Sequence, residues 1–410
     1  MTRRQKIERR LLWLIPILAA ALAGIFLALC WWQNWLWFKP VVSPVQAGSP
    51  GAAQGEAAAM VQPEETANAL ESRMKLLLEQ DGRMASWYQL AGKTGTPAAE
   101  RANDFQAADQ LLYGQYLLEQ ARETEFLAWW QTYRSAYGHD DDWRSNLSAL
   151  RLLACSVTLW PGEERIAVLK QQSDSLLTKL AAGFPADYQA AVPTAKPTLD
   201  PAATPTPKPL ATPTPDASDE VQLDVLRLAS LDLYAMRQMA PLDERWQTHY
   251  DQALKLINQG YLNDDLPLYA WAYQTEQQGY LFYQNDTPAI RTEEALLTLL
   301  HLCEVGQAPQ RSLSWLKDQL YNQRALYEYY HIVQGSPIGG QECLPAYAIA
   351  ARIARITGDD DLYRQAVECL LRHQATSKTS AALSALFRQT EDERIWVWAH
   401  DNVWALLALR

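Results

Sequence analysis

From about residue 64 to the C-terminus, apolar residues recur every three or four positions, in stretches such as ALRLLACSVTLW and EALLTLLHLCEV. That spacing gathers the apolar side chains on one face of a helix. It predicts helices at roughly 64–80, 103–120, 122–137, 143–159, 161–183, 221–240, 242–259, 264–277, 288–305, 308–321, 341–357, 358–374 and 396–409. Strand signals are nearly absent: alternating runs are few, and Val and Thr are scarce outside one Thr/Pro-rich segment. The expected fold class is therefore all-α. Helices that arrive in pairs joined by short turns form hairpins, and a count of six hairpins predicts a closed (α/α)6 toroid. The hairpins share no short repeated consensus, which disfavours an open solenoid.

The N-terminus is of a different kind. The first ten residues, MTRRQKIERR, carry +4 within a chain of 410 residues and net charge -11, so everything after them sums to -15. Phosphate binding needs clustered Lys and Arg, so no nucleic-acid partner is expected. The stub is followed by LLWLIPILAAALAGIFLALCWW, close to the ~20 apolar residues that cross a bilayer. Residues 1–10 are thus expected to be cytoplasmic and 11–38 to form a transmembrane signal-anchor helix, with Trp31, Trp32, Trp35 and Trp37 at the far interface. No small-x-small cleavage site follows the run, and Leu29 precedes Cys30 where a lipoprotein box has a small residue. The expected location is the cell membrane, single-pass, with the C-terminal domain outside the cytoplasm. A Pro/Gly/Ala-rich tether at 39–63 leads into a domain at 64–410, which carries a Thr/Pro-rich insertion at 192–220 expected to be extended and disordered.

Cys155, Cys303, Cys343 and Cys369 are far apart and show no C-x-x-C spacing, so buried free thiols are expected. His301, His331 and His400 show no metal-ligand spacing with a carboxylate, and DDDWRSN and TGDDDLY lack the Gly and distal Glu of a calcium loop. No metal and no cofactor are expected.

Three stretches carry a resemblance. The segment QAADQLLYGQYLLEQARETEFLAWWQTY is similar to a catalytic-helix pattern S-E-x-[QD]-G followed by an apolar helix; in register, Gln106 stands at the Ser, Ala107 at the Glu, Asp109 at the next polar position and Gln110 at the Gly. SNLSALRLLACSVTLW is similar to a D-D-L-R-I-x-R-A-L helix, with Leu150 and Arg151 matching and Ser148 and Ala149 replacing the two acids. The third extends from GYLNDDLPLYAWAYQ through NDTPAIRTEEALLTLLHLCEVG and GQECLPAYAIAARIARITGDDDLYRQA to HDNVWALLAL; its Pro288-Ala289-Ile290-Arg291 aligns with a D-A-x-R segment, keeping the Arg and losing the Asp. Together these resemble glycoside hydrolase family 8 and its six-hairpin relatives over most of 64–410.

The resemblance implies an (α/α)6 domain acting on a polysaccharide or oligosaccharide. Inverting hydrolysis needs one protonated carboxyl on the leaving oxygen and one carboxylate activating water, ~6.5–9.5 Å apart. Alanine at the acid position cannot donate a proton, and losing the acid costs on the order of a hundred- to ten-thousand-fold. Candidates for a displaced acid are Asp104, three residues before Ala107 on nearly the same face, and Asp109, about 200° around the helix. Asp232 sits in an otherwise apolar run, while Glu342 and Asp401 open helices. The bland account of Asp104, Glu342 and Asp401 is capping, and Glu293 and Glu294 read as first-turn charges. Arg151 and Arg291 carry over as substrate-binding residues, with Tyr347, Trp271 and Trp404 as aromatic candidates for the same role; most of the other rings are expected in the core.

Three readings follow: a polysaccharide-binding protein that has lost its acid, an active inverting hydrolase with a displaced acid, and a helical scaffold for a protein partner in a surface-polysaccharide assembly. The first predicts an aromatic-lined cleft without an acid pair, the second two carboxyls across a cleft, and the third an exposed apolar patch.

Overall fold

The computed structural model describes residues 63–90, 100–138, 142–181, 184, 225–275, 278–283, 288–389 and 394–410. The expected stub, the anchor at 11–38, the tether at 39–63 apart from Pro63, and the insertion at 192–220 lie outside the described residues. Among the described residues no helix is long and apolar enough to cross a membrane.

Helix α1 (Pro63–Met74) is followed by α2 (Ala107–Glu119), α3 (Glu123–Tyr137), α4 (Trp143–Leu159), α5 (Glu163–Lys179), α6 (Leu233–Met239), α7 (Arg245–Gln259), α8 (Thr292–Glu304), α9 (Gln310–Asp318), α10 (Leu344–Thr357), α11 (Asp360–Leu371) and α12 (Ala399–Leu409). Five hairpins are sequential: α2 with α3, α4 with α5, α6 with α7, α8 with α9, and α10 with α11. The sixth pair joins the two ends of the domain, α12 against α1. Helices α2, α4, α6, α8, α10 and α12 pack each on the next, and α12 packs back on α2, which closes an inner ring. Each of the inner helices from α2 to α10 is followed by one that returns outside it, and α12 has α1 as its outer partner, so the inner helices run parallel and their N-termini gather at one end.

The sequence separates the two rings. Inner α10 buries every residue from Leu344 to Ala354, and α12 buries nearly its whole length, as expected of a helix apolar on all sides. Outer α7 buries only Trp246, His249, Ala253 and Ile257, a single stripe. Between α10 and α11, Gly358 takes a left-handed φ of +71° and Asp359 accepts a bond from Leu362 N at 3.1 Å, so one helix is ended and the next begun within two residues.

Among the described residues, ten short strands depart from the all-helical expectation: β1 (Trp87–Leu90), β2 (Glu100–Arg101), β3 (Leu226–Arg227), β4 (Ala272–Gln274), β5 (Gly279–Leu281), β6 (Ala289–Arg291), β7 (Tyr327–His331), β8 (Pro337–Glu342), β9 (Arg388–Gln389) and β10 (Ile395–Trp398). They form three antiparallel sheets, ordered β2-β1-β10-β9, β3-β4-β5 and β6-β7-β8. The helix expected at 264–277 is absent; that stretch is a turn leading into β4. Of the helix expected at 221–240, the described part, 225–240, is α-helical only over α6. Strands β6, β8 and β10 run into α8, α10 and α12, so the sheets crown the end where the inner N-termini gather.

Gly114 lets α2 and α3 approach: a Cβ there would lie 2.2 Å from the Trp129 ring. Helix propensity alone favours alanine by about 1 kcal/mol. We expect the opposite sign for Gly114→Ala, a loss of about 1–3 kcal/mol in denaturant unfolding, because overpacking outweighs propensity.

Candidate functional site

A cavity of about 360 Å³ lies within the inner ring, walled by α2, α4, α8 and α12 and by the segment that enters α6. Along α8 it extends from Glu293 in the first turn to Glu304 at the last residue, about 16 Å of helix. Each end holds a cluster of charges.

At the N-terminal end, His400 of α12 bridges two inner helices. Its Nε2 lies 2.5 Å from Glu293 Oε1 of α8, and its Nδ1 3.3 Å from Asp109 Oδ1 of α2. Two acceptor-only carboxylates require an N–H on each ring nitrogen, which is the imidazolium. Burial opposes that charge, but Glu293 and Asp109 outweigh it and raise the His400 pKa well above the usual histidine value. Burial likewise opposes ionisation of Glu293, yet His400, with Arg291 and Arg388 beyond it, pulls its pKa down to about 2. Glu294 is bonded by Arg227 and Arg291, each at 3.3 Å. On α2 the wall is formed by Ala108, one position on from Ala107, with Leu111, Leu112 and Gln115.

The other end is built on Arg151 of α4, which donates to Asp232 at 3.1 Å and to Glu304 at 2.9 and 2.5 Å, with its guanidinium 4.6 Å from the Tyr234 ring centre. His301 bonds Glu304 at 3.4 Å and the Ala229 carbonyl at 3.1 Å. Against the cost of burial, Arg151 and His301 hold Glu304 below the usual carboxylate range. Donor atoms of Asp232, His301 and Glu304 lie within 4.8 Å of one another, a spacing that could hold a metal ion. Arg151 already donates to both carboxylates, so the positive charge that such a pair needs is supplied by the chain itself.

No family model matches the sequence, and no curated protein matches it. Solved structures do. An alpha-amylase from Clostridium perfringens superposes with a TM-score of 0.63 at 17% identity, covering 84% of this chain and 96% of that one. A glycoside hydrolase family 8 protein from Teredinibacter turnerae, in complex with xylobiose, gives 0.51 at 15% identity over 86% and 93%. An inactive variant of an alpha-1,6-mannanase of Salegentibacter sp., altered at two neighbouring aspartates and bound to alpha-1,6-mannotriose, gives 0.51 at 10% identity over 85% and 98%. The fold is that of the six-hairpin glycosidases.

Within this six-hairpin fold the residues singled out from sequence fall in different places. Asp104 is exposed and accepts from Gln106 Nε2 at 2.6 Å. Asp109 is buried against His400. Asp232 is the N-cap of α6, accepting from Ala235 N at 2.9 Å, and lines the cavity. Glu342 ends β8, where Tyr347 and His373 bond it, and Asp401 is paired with Arg388 at 2.8 and 3.0 Å. The caps expected at Asp104, Glu342 and Asp401 are not made: the N-cap positions of α2, α10 and α12 fall on Gln106, Cys343 and Trp398, none of which makes a side-chain capping bond, because each helix starts where a strand or extended segment ends, and Asp401 sits in the first turn of α12 instead. Arg151 and Trp404 line the cavity and Arg291 pairs with Glu294 beside it. Tyr347 is fully buried, and Trp271 packs with Val225, Ala272 and Leu281 beneath the Arg227 guanidinium. Among the described residues Cys155, Cys303, Cys343 and Cys369 are free thiols, the last three buried.

Sequence reasoning read Glu293 and Glu294 as first-turn charges, weighed His301 and His400 only as metal ligands, and passed over Glu304 and Arg227. The available signal was the position of Glu293 and His400 in the first turns of inner helices, where the ring opens.

The Glu293–His400 pair sets a pH signature. Glu293 has a folded pKa of about 2 against an ordinary 4.5, so its stabilisation is present above 4.5 and is lost as pH falls through 2. His400 has a raised pKa, so its contribution is present below 6.5 and is lost as pH rises through the elevated value. We expect His400→Gln to cost about 1–3 kcal/mol between these limits, with the difference from wild type shrinking on both sides in unfolding curves measured across pH.

Proposed function

We propose that this chain is a membrane-tethered, outward-facing protein that holds a sugar chain in the inner-ring cavity and hydrolyses it weakly or not at all. One observation carries the reading: the α2 wall of the cavity, formed by Ala108, Leu111, Leu112 and Gln115, brings no carboxylate, on the helix where the resemblance expects a carboxylic acid at the position of Ala107. Two of the carboxylates that line the cavity support it, since Glu293 and Glu304 are held ionised by cationic partners and have no proton to give. Oligosaccharide as the ligand class is supported by the xylobiose and mannotriose bound to proteins of the same fold. The tether and the outward orientation rest on the basic stub and the apolar run after it.

A second reading, an active hydrolase, draws on Glu293 and Glu294, neighbouring acids that both line the cavity. The scaffold reading has less support: the large exposed apolar side chains among the described residues, Leu76, Leu242, Tyr321 and Val333, lie on separate segments.

The test is retention of the detergent-solubilised full chain on immobilised β-glucans, xylan, α-mannan and amino-sugar polymers, with reducing ends assayed in parallel. Retention on one polymer with reducing ends at the level of the blank is expected. Release that Glu293→Gln abolishes establishes the active hydrolase instead, and no retention on any polymer overturns the glycan reading.

A further inference from the structure

We propose that the middle of the inner-ring cavity is a socket for the acetyl group of an acetylated sugar, its methyl against Leu112 and Leu297 and its carbonyl on Ser148. This rests on the glycan-binding reading above and names the class of sugar concerned.

The cavity is built in levels. Leu112, Ser148, Leu297 and Trp404 all line it, and each is the sixth residue of its helix, α2, α4, α8 and α12 in turn. These helices run parallel from one end, so the four residues share a level about 7.5 Å below the first residues. Glu293 and His400, each the second residue of its helix, belong to a charged level above. Arg151, the ninth residue of α4, begins the charged floor about 4.5 Å below.

At the middle level three of the four side chains are apolar. Leu112 and Leu297 are only partly buried, whereas most apolar residues of the inner helices are enclosed, and both border the cavity. Ser148 brings the hydroxyl of this level, and no hydrogen bond engages it among the described residues. A bare sugar ring at this level would set its hydroxyls against leucine carbons, and each hydroxyl buried without a partner costs about five- to hundredfold in affinity. An acetyl group has the opposite make-up: a methyl for the leucines and one acceptor oxygen for one hydroxyl. The floor limits its length, because an acyl chain several carbons longer would meet the Arg151 guanidinium, which Asp232 and Glu304 already occupy. A free amine finds no counter-charge in waiting: His400 offsets Glu293, Arg227 and Arg291 offset Glu294, and Arg151 offsets the pair at the floor.

Amide and ester acetyls share this methyl and carbonyl, and the experiment separates them. It measures dissociation constants of the detergent-solubilised full chain for two neutral pairs: the β-1,4-linked N-acetylglucosamine tetramer against the glucose tetramer of the same linkage, and acetylated xylan oligomers against the same oligomers after alkaline deacetylation. In one pair the acetylated member is expected to bind at least about tenfold tighter, as a filled apolar pocket does over an empty one. Ser148→Ala is expected to reduce that preference about two- to tenfold, and Leu297→Ser about tenfold; the variants are made separately, so that one misfolded protein does not decide the result. Equal binding within both pairs, tighter binding of the bare sugar, or a preference unchanged in both variants overturns the inference and leaves the glycan-binding reading standing. So does retention of a polymer when none of the four oligomers binds. Retention on no polymer, with no oligomer bound, overturns both.

Discussion

Arg352 is the interaction on which closure of the ring depends. Its side chain is 1% exposed, and from α10 it donates to Glu119 at the end of α2, at 2.9 and 2.7 Å, and to the Leu407 carbonyl of α12 at 3.1 Å. A guanidinium this deep is tolerated only when paired, and removing one partner of such a pair typically costs about 3–5 kcal/mol. The pairing is satisfied only when the last inner helix has returned to the first. Helix α12 therefore does more than fill the core: it completes the circle that the five sequential hairpins leave open.

The same helix carries the site. At its N-terminal end His400 ties α12 to α2 and α8, as Arg352 ties α12 to α2 and α10 at the other end. Between the two ties lies the cavity, with Arg151 holding its far end. Charge in the barrel interior is thus organised by cations that each serve more than one inner helix. Stability and the site draw on the same groups: the imidazolium that fixes Glu293 in place is also what keeps it ionised.

The helical part of this architecture was legible because its period is long and its composition extreme. PAYAIAARIA and DNVWALLAL are apolar on every side, which is what an inner helix requires. The strands were not legible because they are two to six residues long, too short to display alternation. The 264–277 stretch imitates a helix through its Leu and aromatic spacing, but Pro267 and the pairing of Ala272–Gln274 with Gly279–Leu281 decide otherwise. At the site, the alanines on α2 and the arginine on α4 could be found by resemblance, because the motif is local. Glu293 could not: in one dimension it is a first-turn acid like many others, and only the convergence of α2, α8 and α12 gives it His400 for a partner.

The most direct test of the account is a structure of the full chain with an oligosaccharide of the retained polymer. The account predicts a sugar ring inside the inner-ring cavity, flanked by Ala108 on one wall and Glu293 on the other. An oligosaccharide bound on the outer helices or the strand crown, with the cavity free of sugar, would contradict it.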